Sequence, residues 1–335
     1  MEQKSVLIGM SGGVDSSVAA ALKEQGYHVI GATMRLWTYS DSCNMKHEGC
    51  CAESAVEDAR RVCDKLGIDF YVMNFKDMFK DKVVDYFVDE YIHGRTPNPC
   101  IACNKYLKFD ALLKKALAMG IDYVATGHYA KIEKGEDGKY ILRASEAVKK
   151  DQSYVLYNFT QEQLAHTLMP LGGYNKDWVR QKAEELGLGV AHKPDSQEIC
   201  FVEDDDYAKF ITDYSGYKPK EGDILDVNGN VIGKHRGLIY YTIGQRKGIG
   251  AYGRPMFVMK IDAENNTITL GEKGMEFSNE LTAYDVNFVS GEFPKENMLI
   301  TAKVRYQAPP AAAMLCPQKD GTVKLMFPEP QRAVT

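Results

Sequence analysis

No stretch of this sequence stays apolar for the ~20 residues a membrane-spanning helix needs, so no membrane partner is expected and the expected compartment is the cytoplasm. There is no internal repeat and no low-complexity tract, which sets aside solenoids and disordered linkers. Residues Met1 to Met10 read as a strand, not as a signal peptide. Positive charge is also short: the net charge is −5 and the pI about 5.9. The molecule as a whole therefore does not attract nucleic acid, and any such contact needs a local basic patch. What is present is an ordinary globular balance, 44% hydrophobic and 26% charged, in 335 residues, enough for two or three domains. In a reducing compartment the eight cysteines favour catalysis or metal binding over a disulfide scaffold.

The chain is organised around Gly9, Met10, Ser11, Gly12, Gly13, Val14, Asp15, Ser16 and Ser17, between an apolar run (Val6 to Ile8) and an Ala-rich helical pattern (Val18 to Gln25). This reads as strand, tight turn, helix. Adjacent glycines allow positive φ and close approach, and the first helical turn leaves unpaired N–H donors pointing the same way, which makes an anion cradle. Asp15 beside a phosphate requires a cation such as Mg²⁺ between them. The lysine of a Walker loop is absent. The string Ser-Gly-Gly-Val-Asp-Ser-Ser instead resembles the pyrophosphatase loop of enzymes that cleave ATP between its α and β phosphates. A Gly-Gly turn opening a helix without a ligand is the plain alternative.

Further strands are expected at His28–Leu36, ending near Met34, at Ile68–Phe75 and at Tyr123–Gly127. Helices are expected at Ala52–Leu66, Tyr106–Met119, Gln161–Thr167 and Lys176–Leu186, several closed by glycine. The alternation predicts an α/β fold, a doubly wound parallel sheet of about five strands over residues 1–213. A hairpin signal inserts at Tyr129–Arg143. From residue 214 closely spaced turn dipeptides predict a small β-rich domain, 214–279, and then a C-terminal β-barrel, 280–335. Its strands are expected near Leu281–Val289, Met298–Tyr306 and Thr322–Phe327.

Asn98, Pro99, Cys100 and Cys103 form a second informative stretch, in which two prolines present a Cys-x-x-Cys pair at a helix entrance. A thiol there, with Lys105 close by, is an activated nucleophile; half a zinc site is the equal alternative. Cys200, before Phe201, reads on composition as buried packing. Cys43, His47, Cys50, Cys51 and Cys63 match no standard zinc spacing. Three patches combine cations with aromatics and amides: Lys131, Lys134, Lys139 and Arg143 with Lys149, Lys150, Asp151, Gln152, Ser153 and Tyr154; Lys234–Arg236 with Tyr240–Gly248; and Arg305, Tyr306 and Gln307. Three in an acidic chain favour nucleic-acid contact over a merely solvated face.

With GMSGGVDSS, TPNPC-x-x-CN, TGHYA, KDQSY, SQEICF, YTIGQRKG and VRYQ in this order, the whole chain resembles the tRNA-specific 2-thiouridylase (MnmA, or TrmU) family. That resemblance implies an adenine nucleotide alpha hydrolase-like sheet domain binding ATP and Mg²⁺ at Gly9–Ser16, with Met34 and Gly127 on the adenine side. It implies adenylation of the C2 oxygen of the wobble uridine, in tRNAs for Lys, Glu and Gln. Sulfur is implied to arrive as a persulfide on Cys200, from a cysteine desulfurase or relay protein, with Cys103 the nucleophile that releases it through a transient disulfide. Asn98, Pro99 and Cys100 match the target-base loop, and His128, Lys150, Asp151, Gln152, Arg305 and Tyr306 match tRNA contacts. Some members carry Asp at the position of Cys100, considered there a general acid or base; as a thiol it also suits three-thiolate ligation of an iron–sulfur cluster by Cys100, Cys103 and Cys200. Relatives run roughly 20 residues past the QRAVT end, room for one closing barrel strand. Two rivals remain: another PP-loop adenylating enzyme, and a non-enzymatic tRNA-binding sulfur carrier.

Overall fold

The computed structural model describes residues 3–15, 20–37, 53–193, 199–202 and 205–334. Ser16, Ser17, Cys43, His47, Cys50, Cys51 and the Ser196–Glu198 part of the SQEICF stretch lie outside the described residues. The chain divides into two compact units, residues 1–84, 99–205 and 287–292 forming one, and 85–98, 206–286 and 293–335 the other.

The first unit is built on five parallel strands: β1 (Ser5–Gly9), β2 (His28–Arg35), β3 (Asp69–Asn74), β4 (Tyr123–Ala125) and β7 (Thr167–Leu168), in the order β3-β2-β1-β4-β7. Central β1 buries Val6, Leu7 and Ile8 completely, the continuous apolar run expected of a strand covered on both faces. Helices α1 (Glu53–Leu66) and α3 (Lys176–Glu185) place Ala59, Val62, Val179 and Ala183 in the same core as Val6 and Ile8. Between these two in the chain comes α2, residues 99–118, which begins at Pro99 and so includes the Cys-x-x-Cys pair that the proline pattern had kept in a loop. Proline at a first helical position loses no intrahelical bond. Strands β5 (Ala130–Lys134) and β6 (Tyr140–Ala144) form the expected hairpin, turning through Gly138 at φ +81°.

Asp122 clasps the start of β1 to β4. Its carboxylate accepts from Lys4 Nζ and from the backbone N and Oγ of Ser5. These bonds, Lys4 first, hold its carboxyl far below the usual carboxylate range.

The second unit carries two antiparallel-rich sheets. Strands β8 (Gly222–Leu225), β9 (Val231–His235), β10 (Met256–Asp262) and β11 (Thr267–Glu272) run in the order β10-β11-β8-β9 around Ile224, Val258, Ile268 and Leu270. Strands β12 (Phe277–Ala283), β13 (Met298–Ala302), β14 (Ala311–Pro317) and β15 (Val323–Arg332) run β12-β15-β14-β13. The first of these starts and ends earlier than the expected Leu281–Val289. Strand β14, whose Ala-Ala-Ala start lacks β-branched residues, was not legible in the sequence. Helix α4 (Tyr207–Ser215) stacks Tyr207 on Tyr91 at 4.8 Å between ring centroids.

Candidate active site

The glycine loop leaves the carboxyl end of β1, where ligands sit in open parallel sheets. Met10 N–H donates to the Ala32 carbonyl at 2.7 Å, and Thr33 Oγ1 donates to the Met10 carbonyl at 2.9 Å, so the loop's first turn is pinned to β2. Met10 and Val14 are buried anchors and Ser11 is exposed. Gly12 takes φ +69°, and a Cβ on it would lie 2.4 Å from the Ala55 carbonyl oxygen and 2.8 Å from Ala55 Cα. Only glycine allows that turn against the start of α1. Asp15, the last described residue of the loop, accepts from Tyr129 Oη at 2.8 Å and from Lys176 Nζ at 2.7 and 2.8 Å. One carboxylate is a suitable protein ligand for Mg²⁺, which draws its other ligands from phosphates and water.

Two ammonium groups reach this loop from far along the chain, and neither was singled out in the sequence. Lys176 opens α3, whose N-cap Asn175 accepts from Trp178 N–H at 2.8 Å. Lys193 donates to Asp58 Oδ2 at 3.0 Å and to the Gly12 carbonyl at 3.3 Å. Tyr129 was likewise missed. Separations of 161 and 181 residues from the loop leave no local signal to find these partners.

Met34 is half-buried near the end of β2. Beside it the carboxyl ends of β2 and β3 open onto a cavity of about 550 Å³ lined by Arg35, Val56, Glu57, Arg60, Val72, Asn74 and Lys76. Gly127 follows β4, and His128 beyond it is 9% exposed. His128 Nδ1 pairs with Thr126 Oγ1 at 2.7 Å, and its ring lies 5.8 Å from that of Phe109. Burial, with Lys108 adding to it, pushes the imidazole well below its ordinary value, so the ring is neutral.

In α2, Cys100 is exposed in the first turn, while Cys103 is buried at the start of a π-wound stretch reaching Ala111. Such windings recur at functional positions. Asn104, next to Cys103, donates to the Val155 carbonyl at 3.0 Å and ties this helix to the turn after Gln152. Cys200 is half-buried before Phe201, whose ring packs on Phe79 at 5.6 Å. No group of three or more His, Cys, Asp or Glu able to hold a metal exists among the described residues, so Cys100, Cys103 and Cys200 do not there form a three-thiolate site. Cys63 is fully buried, and burial followed by Asp64 pushes its thiol up to about 11; it packs against Gly31.

Lys150 is half-buried. Asp151 accepts from Ser145 N–H at 2.9 Å and Ser153 Oγ at 2.7 Å and so braces its own turn, and Gln152 Oε1 accepts from Tyr129 N–H at 2.9 Å, which ties that turn to the segment after β4. The hairpin cations are largely compensated: Lys131 pairs with Glu146, Lys139 with Glu292 and Arg143 with Glu133. In the second unit, Asn98 is half-buried. Arg305 there donates to the carbonyls of Ala333 and Ile243, each at 2.8 Å, and Tyr306 is 40% exposed with Lys303 Nζ 5.7 Å from its ring centroid.

Three family models match the chain in succession: a tRNA methyl transferase HUP domain over residues 4–204, a tRNA methyl transferase PRC-barrel domain over 208–272 and an aminomethyltransferase beta-barrel domain over 278–335. A tRNA-specific 2-thiouridylase MnmA of Acetivibrio thermocellus is 58% identical over 100% of this chain and 94% of its own. The protein of the same description from Clostridioides difficile is 57% identical over 99% of this chain and 92% of its own. Among solved structures, a glutamine-dependent NAD+ synthetase from Acinetobacter baumannii aligns with 58% of this chain and 32% of its own at 15% identity and a TM-score of 0.35, too loose to carry an argument.

Proposed function

The chain belongs to the tRNA-specific 2-thiouridylase family, and from that membership we propose how its residues divide the work of ATP-dependent 2-thiolation of the wobble uridine. The observation that carries the reading is the Gly9–Asp15 loop at the carboxyl end of the central strand, held in a turn that only glycine can take at position 12. Its N–H groups and Ser11, with Ser16, cradle the polyphosphate, Asp15 serves the accompanying Mg²⁺, and Met34 and Gly127 flank the adenine.

The uridine C2 oxygen attacks the α-phosphorus, pyrophosphate departs and the N3 proton is released to solvent. That oxygen then leaves with AMP when the terminal sulfur of a persulfide on Cys200 attacks C2. The Cys103 thiolate next attacks the Cys200 sulfur, which leaves sulfur on C2 and a Cys103–Cys200 disulfide for a dithiol reductant to reopen. Two cysteines suffice for this sequence, and no step requires an iron–sulfur cluster. Asn98, Pro99 and Cys100 present the target base; His128, Lys150, Asp151, Gln152, Arg305 and Tyr306 hold the tRNA, with Lys, Glu and Gln acceptors as the expected set. The domains follow the limits 1–213, 214–279 and 280–335, and a cytoplasmic cysteine desulfurase or relay protein supplies the sulfur.

The test mixes the protein, handled anaerobically, with unmodified tRNA, ATP–Mg²⁺, cysteine and a cysteine desulfurase, and seeks 2-thiouridine by mass spectrometry. Wild type should form it, and Cys103→Ala and Cys200→Ala should not. Thiouridine from either variant at the wild-type rate removes that thiol from the mechanism.

A further inference from the structure

We propose that Lys176 and Lys193 are catalytic residues that neutralise the β and γ phosphates of ATP and the pyrophosphate that leaves, the task a Walker lysine performs from within its own loop. The inference rests on the ATP-binding reading of the Gly9–Asp15 loop and extends it. That loop contains no cation between Gly9 and Ser17, yet adenylation leaves a highly charged pyrophosphate that backbone N–H groups alone neutralise poorly. Two ammonium groups converge on it from elsewhere. Lys176, with its side chain only 11% exposed, lies 2.7 and 2.8 Å from the two Asp15 oxygens. Lys193 Nζ reaches into the loop itself, 3.3 Å from the Gly12 carbonyl and 3.0 Å from Asp58.

Each lysine is thus held at the cradle by a carboxylate. Holding them there costs little ordering when the nucleotide arrives, because the ammonium groups exchange one anionic partner for another. Asp58 is in this view a stand-in for phosphate, and Asp15 is released from Lys176 to meet the metal. In the reaction the uridine C2 oxygen bonds to the α-phosphorus, the bond from that phosphorus to the β-bridging oxygen breaks, and pyrophosphate carries away the electron pair. Lys176 and Lys193 hold its developing charge.

The experiment measures binding of ATP–Mg²⁺, pyrophosphate–Mg²⁺ and AMP by calorimetry without tRNA, and then tRNA-dependent pyrophosphate release. Lys176→Gln and Lys193→Gln should each weaken ATP and pyrophosphate binding about tenfold or more while AMP, which has neither phosphate, binds as to wild type. Pyrophosphate release should slow by about 10²-fold. Lys→Arg at each position should restore part of both, and Asp58→Asn, which removes the competing carboxylate, should tighten pyrophosphate binding. Unchanged ATP affinity in the Gln variants overturns the proposal, as does an equal loss for ATP and AMP, or weaker pyrophosphate binding in Asp58→Asn. Failure of wild type to bind ATP at all would instead sink the reading of the loop as an ATP site.

Discussion

His128 shows how a polar residue at the site can be committed to one protonation state. It is buried against Phe109 and held by Thr126 Oγ1, and protonation there would put a charge where water cannot reach it. Its folded value is lowered from the ordinary 6.5, so the unfolded chain binds the proton first as pH falls. Stability from this group is therefore fully present above 6.5 and is lost as pH drops through that value toward the folded one. Urea unfolding of wild type and His128→Gln should give a difference that shrinks as pH falls from about 7.5 to 5.5. A difference independent of pH would mean that folding leaves the proton affinity of the ring unchanged, and one that grows as pH falls would mean the ring is protonated in the fold. If the neutral ring meets tRNA, it does so through hydrogen bonding and shape, not as a cation.

At the scale of the element, β2 and α1 pack closely because Gly31 has no side chain. A Cβ there would lie 2.4 Å from Cys63 Sγ, in a fully buried position. Gly31→Ala should cost about 1–3 kcal/mol in urea unfolding, and adding Cys63→Ala should return much of it, since the clash is with the sulfur. Additive losses would show that the contact is not what limits that position. This close fit also shows what the sequence could reveal. Four of the five parallel strands, the hairpin and the glycine loop were legible because each has a local signature: β1 is an unbroken apolar run, and Gly12-Gly13 punctuates it; β7, only two residues long, was not, and its Thr167 was expected to end the helix that stops at Ala165. Cys63 was grouped with Cys43, His47, Cys50 and Cys51 as a possible ligand because composition does not report burial. Helix α2 hid its first turn behind Pro97 and Pro99, which suit an extended loop as well as a helix start. Lys176, Lys193 and Tyr129 carried no signal, since what brings them to Asp15 and Gly12 is the packing of α3 and the sheet, not their neighbours in the chain.

On the scale of the whole molecule, tRNA must be bound by a chain whose net charge is −5. Many of its surface cations are already paired, as Lys131, Lys139 and Arg143 are with carboxylates, so few phosphates can be neutralised at once. The salt dependence of tRNA affinity should accordingly be set by a small number of side chains. Lys150→Gln should flatten the slope of log K against log salt by about 0.7–0.9 between about 50 and 200 mM. Arg305→Gln should behave differently, because its guanidinium already donates to the carbonyls of Ile243 and Ala333 and so ties the end of the last sheet to the Tyr240–Gly248 segment. Loss of those charge-assisted bonds should lower stability by about 1.5–3 kcal/mol along with any loss of tRNA affinity. Fluorescence anisotropy with labelled tRNA across the salt series, beside thermal melts of both variants, separates the two. A Lys150→Gln slope equal to wild type would remove that lysine from the phosphate contacts, and an Arg305→Gln protein as stable as wild type would show that its carbonyl bonds add nothing to the stability of the fold.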